Sequence, residues 1–137
     1  MTTRATHTEP LIPVWIVAGI LFAATIVQAA DWPCYRGPNR DGSSPEQITA
    51  PLPLQVLWTT NVGYGFCETV SSNGYIYTSG YANGNDTVYC LNPNTGATVW
   101  KSSHGAPGGQ HAGPRATLAL DEGKIYVFRR SKGKLMM

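Results

Sequence analysis

Two tryptophan-bearing segments, Val56-Leu57-Trp58-Thr59-Thr60-Asn61-Val62-Gly63 and Thr98-Val99-Trp100-Lys101-Ser102-Ser103-His104-Gly105, lie about 42 residues apart. Both carry β-branched residues beside the tryptophan and both end in glycine. A period in the forties on strand-like sequence is that of stacked four-stranded sheets, the blades of a β-propeller. One such sheet cannot bury its own faces, so the period demands neighbours. The 137 residues give room for about two units.

Composition agrees with an all-β, turn-rich chain. Charged residues make up 13%, against 15 glycines and 10 prolines. The formal charge of +2 is too mild to argue for nucleic acid. No basic helix, zinc-spaced Cys/His set or aromatic stacking platform points that way either.

The first 30 residues stand apart. Leu11 to Val27 is almost wholly apolar and follows a short polar stretch carrying Arg4 and Glu9. Small residues at Ala29 and Ala30 offer a cleavage point, so residues 1–30 read as a secretory signal peptide. An uncleaved N-terminal anchor stays open, although the run is a little short of the roughly 20 apolar residues of a comfortable span. No cysteine follows the run directly, which disfavours a lipoprotein. Export to the periplasm or outside the cell is the expectation, with inner-membrane anchoring as the alternative.

Export permits disulfides. Cys34, Cys67 and Cys90 cannot all pair within the chain. Cys67 and Cys90 are expected on strands with another strand between them, about 9.6 Å apart, whereas a bridge needs Cα atoms within about 7 Å. Free, mostly packed thiols are expected.

Residues 31–54 lack periodicity and form an irregular lead-in. Residues 55–137 then read as incomplete repeats. Expected strands run over 55–61, 66–71, 75–79, 87–91 and 97–103, and again over 115–120 and 124–128. Asn73-Gly74 signals a tight hairpin. Residues 80–86 read as a loop, and Asn92-Pro93-Asn94-Thr95-Gly96 as a turn whose glycine takes positive φ. Thr69 to Tyr77 and Thr117 to Tyr126 correspond, with one extra turn residue in the second. Gly133-Lys134-Leu135 looks like entry into a further strand. The expected fold is an all-β partial β-propeller: one outer strand (55–61), a full four-stranded antiparallel blade (about 66–103) and half of another (115–128), after an N-terminal apolar helix. A missing blade interface of roughly 500 Å² would forfeit on the order of 12 kcal/mol gross. That is comparable with a whole domain's net stability, about 5–15 kcal/mol.

Three motifs carry a family resemblance over residues 31–128. Leu91-Asn92-Pro93-Asn94-Thr95-Gly96-Ala97-Thr98-Val99-Trp100 resembles the quinoprotein-type (PQQ-like) repeat: a strand ending in Leu-Asp/Asn, a Thr-Gly turn, then a strand with Trp. Asp31-Trp32-Pro33-Cys34-Tyr35-Arg36-Gly37-Pro38 resembles the opening of exported bacterial members, with Tyr35 where Trp is usual. Gly113-Pro114-Arg115-Ala116-Thr117 matches a further segment, with Leu118 where Pro is usual. The resemblance implies a propeller of about seven or eight blades, of which this chain would be an N-terminal fragment. It further implies that the first strand would complete a last blade absent here. Similar proteins include an outer-membrane assembly scaffold and quinone-dependent alcohol dehydrogenases.

The repeat positions are Trp58, Trp100, Thr95 and Gly96, read as structural. The dehydrogenases of the family hold pyrroloquinoline quinone beneath an adjacent Cys-Cys ring, above a Trp, with carboxylates and calcium. This chain has no adjacent Cys pair, so no cofactor is expected in it. Arg115 is the candidate ligand-facing residue, able to hold an anion in a channel or, on the preferred reading, to order a strand start. His104 and His111, flanking a loop with Gln110, match no zinc spacing. Asn83-Gly84-Asn85-Asp86-Thr87 carries a glycosylation-type triplet and reads mainly as turn formers. Arg129, Arg130, Lys132 and Lys134 read as a solvated basic turn. No catalytic constellation is convincing.

The leading expectation is a non-enzymatic exported β-propeller repeat protein acting as scaffold or protein-binding module, with protein partners or the remaining blades covering it. The alternatives are the N-terminal part of a quinone-dependent oxidoreductase and a non-functional truncated product. No nucleic-acid partner is expected, and membrane contact only through an uncleaved N-terminus.

Overall fold

The computed structural model describes residues 30–47, 53–109, 111–131 and 134–136. Residues 1–29 of the expected signal or anchor segment, residues 48–52 of the lead-in, Gln110, Lys132, Gly133 and Met137 lie outside them. No helix is present among the described residues, and none there is long and apolar enough to cross a membrane. The described chain is all-β.

Four strands, β1 (Val70–Ser72), β2 (Tyr75–Ala82), β3 (Asn85–Leu91) and β4 (Thr98–Gly105), form one antiparallel meander in sequence order. Two hairpins follow: β5 (Ala119–Asp121) with β6 (Lys124–Tyr126), and β7 (Arg129–Ser131) with β8 (Lys134–Met136). Each tight turn in the meander is set by Asn-Gly. Asn73 and Gly74 take φ of 51° and 74°, and Asn83 and Gly84 take 50° and 78°. Two successive left-handed residues give the turn whose twist matches the strands it joins. Glu122-Gly123 does the same between β5 and β6.

Several expected boundaries move. Residues 80–86 are not a loop: β2 and β3 run on to a two-residue turn, with Gly80 inside β2 paired to Thr87. Gly80 is required there because a side chain would overlap the Val62 carbonyl crossing above it. Residues 55–61 do not form a strand but an extended segment without ladder pairing. The 66–71 strand shrinks to β1, because two extra residues intervene between the Tyr64–Tyr81 bridge and the Val70–Tyr77 pair. This is a bulge that bends the chain while keeping it against β2. The expected strands at 115–120 and 124–128 shorten to β5 and β6. The extra turn residue expected between them is not in the turn, since Asp121 pairs directly with Lys124. Of the basic residues expected in a solvated turn, Arg129 and Arg130 lie on β7 and Lys134 on β8.

Alternation along the strands gives the meander two faces. Val70, Tyr77, Cys90 and Trp100 share one by register, as do Ser79, Val88 and Ser102. This face packs on Leu118, Leu120, Ile125 and Val127, and Val70, Val88 and Leu118 form the core. Gly80, Thr78 and Thr87 belong to the opposite face, where the segment running from Trp58 to Val62 lies across the sheet. The meander is therefore sandwiched between a piece that precedes it and a piece that follows it. Its outer strand β4 is solvent-exposed at nearly every position.

Candidate functional site

Trp58 and Trp100, expected at equivalent repeat positions, occupy two different environments. Trp58 donates its indole N–H to the Pro93 carbonyl at 2.7 Å, and its ring lies flat where a Gly96 side chain would sit. Gly96 takes φ 69°, closing the turn that Asn92 braces with its side-chain oxygen on the Asn94 and Thr95 amides. The Thr95 hydroxyl accepts from the Ala97 amide, and Thr60 donates its hydroxyl to the Gly96 carbonyl. Thr95 and Gly96 thus build a seat, and Trp58 fills it. Trp100 carries no such seat. It packs against Tyr77, ring centroids 6.1 Å apart, and remains 40% exposed.

The lead-in motif is likewise structural in detail. Asp31 accepts from the Ser72 hydroxyl and the Asn73 amide, capping the first hairpin turn. Trp32 exchanges both backbone hydrogen bonds with Ser71, and the Pro33 carbonyl accepts from the Leu120 amide. Residues 31–33 are thereby wedged between β1 and β5. Gly37, at φ 76°, makes room for the Trp32 ring. Motif spacing revealed none of this bridging role, because its partners lie far along the chain.

Arg115 is exposed and sits over the Phe66 ring, 5.8 Å from its centroid. His111 lines the same hollow. Next to it, Tyr64, Phe66, Tyr81, Gly108 and His111 border a cavity of about 440 Å³. Sequence reading singled out Arg115 and His111 but not Tyr64 or Phe66. The Phe66-N to Pro114-O hydrogen bond is what joins the two segments.

His104 stands apart from His111, on β4 opposite Asp86. Burial and the nearby Arg129 hold its pKa below the ordinary value, against the pull of Asp86. Asp86 Oδ1 and His104 Nε2 are both buried and find no hydrogen-bond partner among the described residues. The glycosylation-type triplet starts β3, with Asp86 and Thr87 buried and Thr87 bonded to Ser103.

The three cysteines are free. Cys67 lies on the bulged approach to β1, its thiol 3.2 Å from the Ser79 carbonyl, and Cys90 lies on β3 across from Tyr77. Burial raises the Cys90 pKa. No group of three metal-ligating side chains occurs among the described residues. The quinone site implied by the resemblance does not fit these residues. The thiols are scattered over three elements, Trp58 is committed to the Asn92–Gly96 turn, and Asp31 to a hairpin turn.

Comparison with protein-family models, curated proteins and solved structures finds no match to this chain.

Proposed function

We propose that this chain is a non-enzymatic, exported repeat protein of the β-propeller type that works as a scaffold. One observation carries the reading. Of two tryptophans at the same repeat position, Trp58 is seated on the turn of the following unit, while Trp100 is half-exposed. Each unit thus receives a docking group from the unit before it and offers one to whatever comes next. The sandwiching of the meander between earlier and later segments supports the same stacking.

The mechanism is presentation of surface. β4 exposes Val99 at 51% and Trp100 at 40%, and its outer edge has no strand paired to it among the described residues. Strand addition combines backbone hydrogen bonds with side-chain pockets, and aromatic anchors dominate such contacts. Further blades or a partner protein meet the same requirement.

The test is a photo-crosslinking residue in place of Val99, with the full chain exported from a bacterial host. A crosslinked protein at this position, and none with the probe at exposed Asn94 on the Trp58-occupied turn, is the expected result. A dye-linked alcohol assay with added quinone and calcium is run in parallel. Turnover without a crosslink overturns the proposal in favour of the oxidoreductase reading.

A further inference from the structure

The aromatic groove beside the Gly-rich segment after β4 lies outside the hydrophobic core. Tyr64 is 76% exposed and Phe66 62%, an unusual expenditure of ring surface on water for two neighbours on one extended segment. The cavity they border, about 440 Å³, falls within the range of small-ligand sites. Its far wall is backbone. Gly108 and Gly109 line it, both exposed and with no side chain over their peptide groups, and Gly108 approaches the Tyr81 hydroxyl.

We propose that this groove binds an acidic saccharide. The rings of Tyr64 and Phe66 supply flat apolar surface for the axial C–H face of a sugar. Arg115, held over Phe66, supplies the cation for a carboxylate on that sugar. Tyr81, His111 and the glycine backbone supply polar contacts for its hydroxyls. The groove is open on one side, so a ligand keeps one face in water. That suits a sugar, which carries hydroxyls all round, better than a flat aromatic that gains by full burial on both faces. A guanidinium fits a carboxylate with two parallel hydrogen bonds, which gives the acidic sugar its advantage over a neutral one.

The full chain is titrated by calorimetry with an oligogalacturonate and with a neutral oligoglucose of equal length. The acidic oligomer is expected to bind more tightly, and its advantage to shrink between about 20 mM and about 500 mM salt. Phe66→Ala is expected to weaken both ligands about five- to tenfold. Arg115→Gln is expected to weaken the acidic one alone. Both side chains are exposed, so circular dichroism and thermal midpoints of the variants should match the parent, and Tyr64→Ala provides an independent reading of the stacking surface. Absence of binding by the folded parent overturns the proposal. So does binding indifferent to Phe66→Ala and Tyr64→Ala. Equal affinity for both oligomers, unchanged by Arg115→Gln, overturns the acidic assignment.

Discussion

Asp86 stands directly across from His104 on adjacent strands, and each buries a polar atom that no described group bonds. A buried polar atom without a partner costs about 1–3 kcal/mol. Burial, with Arg129 nearby, depresses the folded His104 pKa below its ordinary 6.5. The unfolded chain therefore takes up this proton first as pH falls. Stability is unaffected at high pH, declines as pH drops through about 6.5, and levels off once folded His104 also protonates. His104→Gln should flatten this part of the profile, read as urea midpoints from about pH 7.5 to about pH 5. An unchanged slope would place the acid sensitivity elsewhere.

The Trp58 seat makes a second prediction. Trp58→Ala should cost about 3 kcal/mol, and Trp58→Phe, which keeps a ring but loses the bond to Pro93, about 1 kcal/mol. Gly96→Ala should cost about 2 kcal/mol or more, since the added methyl meets the ring and φ is positive. Combined with Trp58→Ala, its cost should fall by the share due to the ring, leaving the backbone part of about 1 kcal/mol and the close approach to Thr60 Oγ1. Denaturant unfolding of the four proteins measures this coupling. Strict additivity would refute the contact.

Gly74 separates the two components of that cost. It has φ 74° and open space around it, so Gly74→Ala pays only for the left-handed backbone, about 1 kcal/mol. A larger loss, seen as a larger fall in the denaturant midpoint, would mean that the turn carries contacts beyond its own geometry.

The thiols give a readout of local opening. Cys90 is buried with a raised pKa, while Cys34 and Cys67 are partly exposed. Thiolate is the reactive form. Alkylation at neutral pH should modify Cys90 about a hundredfold more slowly than the other two, by peptide mapping, until denaturant opens β3. Equal rates would show that β3 is not protected.

Asp31 makes two hydrogen bonds to the first hairpin turn. Asp31→Ala should lower stability by about 1–2 kcal/mol, and Gly37→Ala, which collides with the Trp32 ring, by more. Thermal midpoints check the order of the two. The reverse order would mean that the lead-in is held chiefly by its backbone.

The local turn chemistry was readable from residues alone. Asn73-Gly74 fixed its hairpin, and the strands through Tyr75, Val88 and Trp100 followed from their β-branched and aromatic content. Gly80 misled, because a glycine among Tyr, Ala and Asn resembles a loop. Its need for a bare α-carbon arises only from Val62, a partner of the opposite face that local patterning does not announce. The 55–61 segment misled in the other direction. Its β-branched and apolar content is strand-like, yet its hydrogen bonds go through Trp58 and Thr60 side chains to a turn instead of into a ladder. The groove at Tyr64 and Phe66 was invisible for a similar reason, since it exists only where Pro114 meets Phe66.

The wedge of Asp31 to Pro33 between β1 and β5 also sets an order of events. A chain emerging N-terminus first releases Trp32 long before Ser71 exists, and Leu120 appears later still. Asp31 and Trp32 need only β1 and its turn, but the Pro33 carbonyl must wait through the making of the entire meander for Leu120, the most distant backbone hydrogen bond among the described residues. Contacts of such separation are slow to form. Pro33 is therefore the latch with the longest wait, while Trp32 beside it can close on Ser71 as soon as β1 exists.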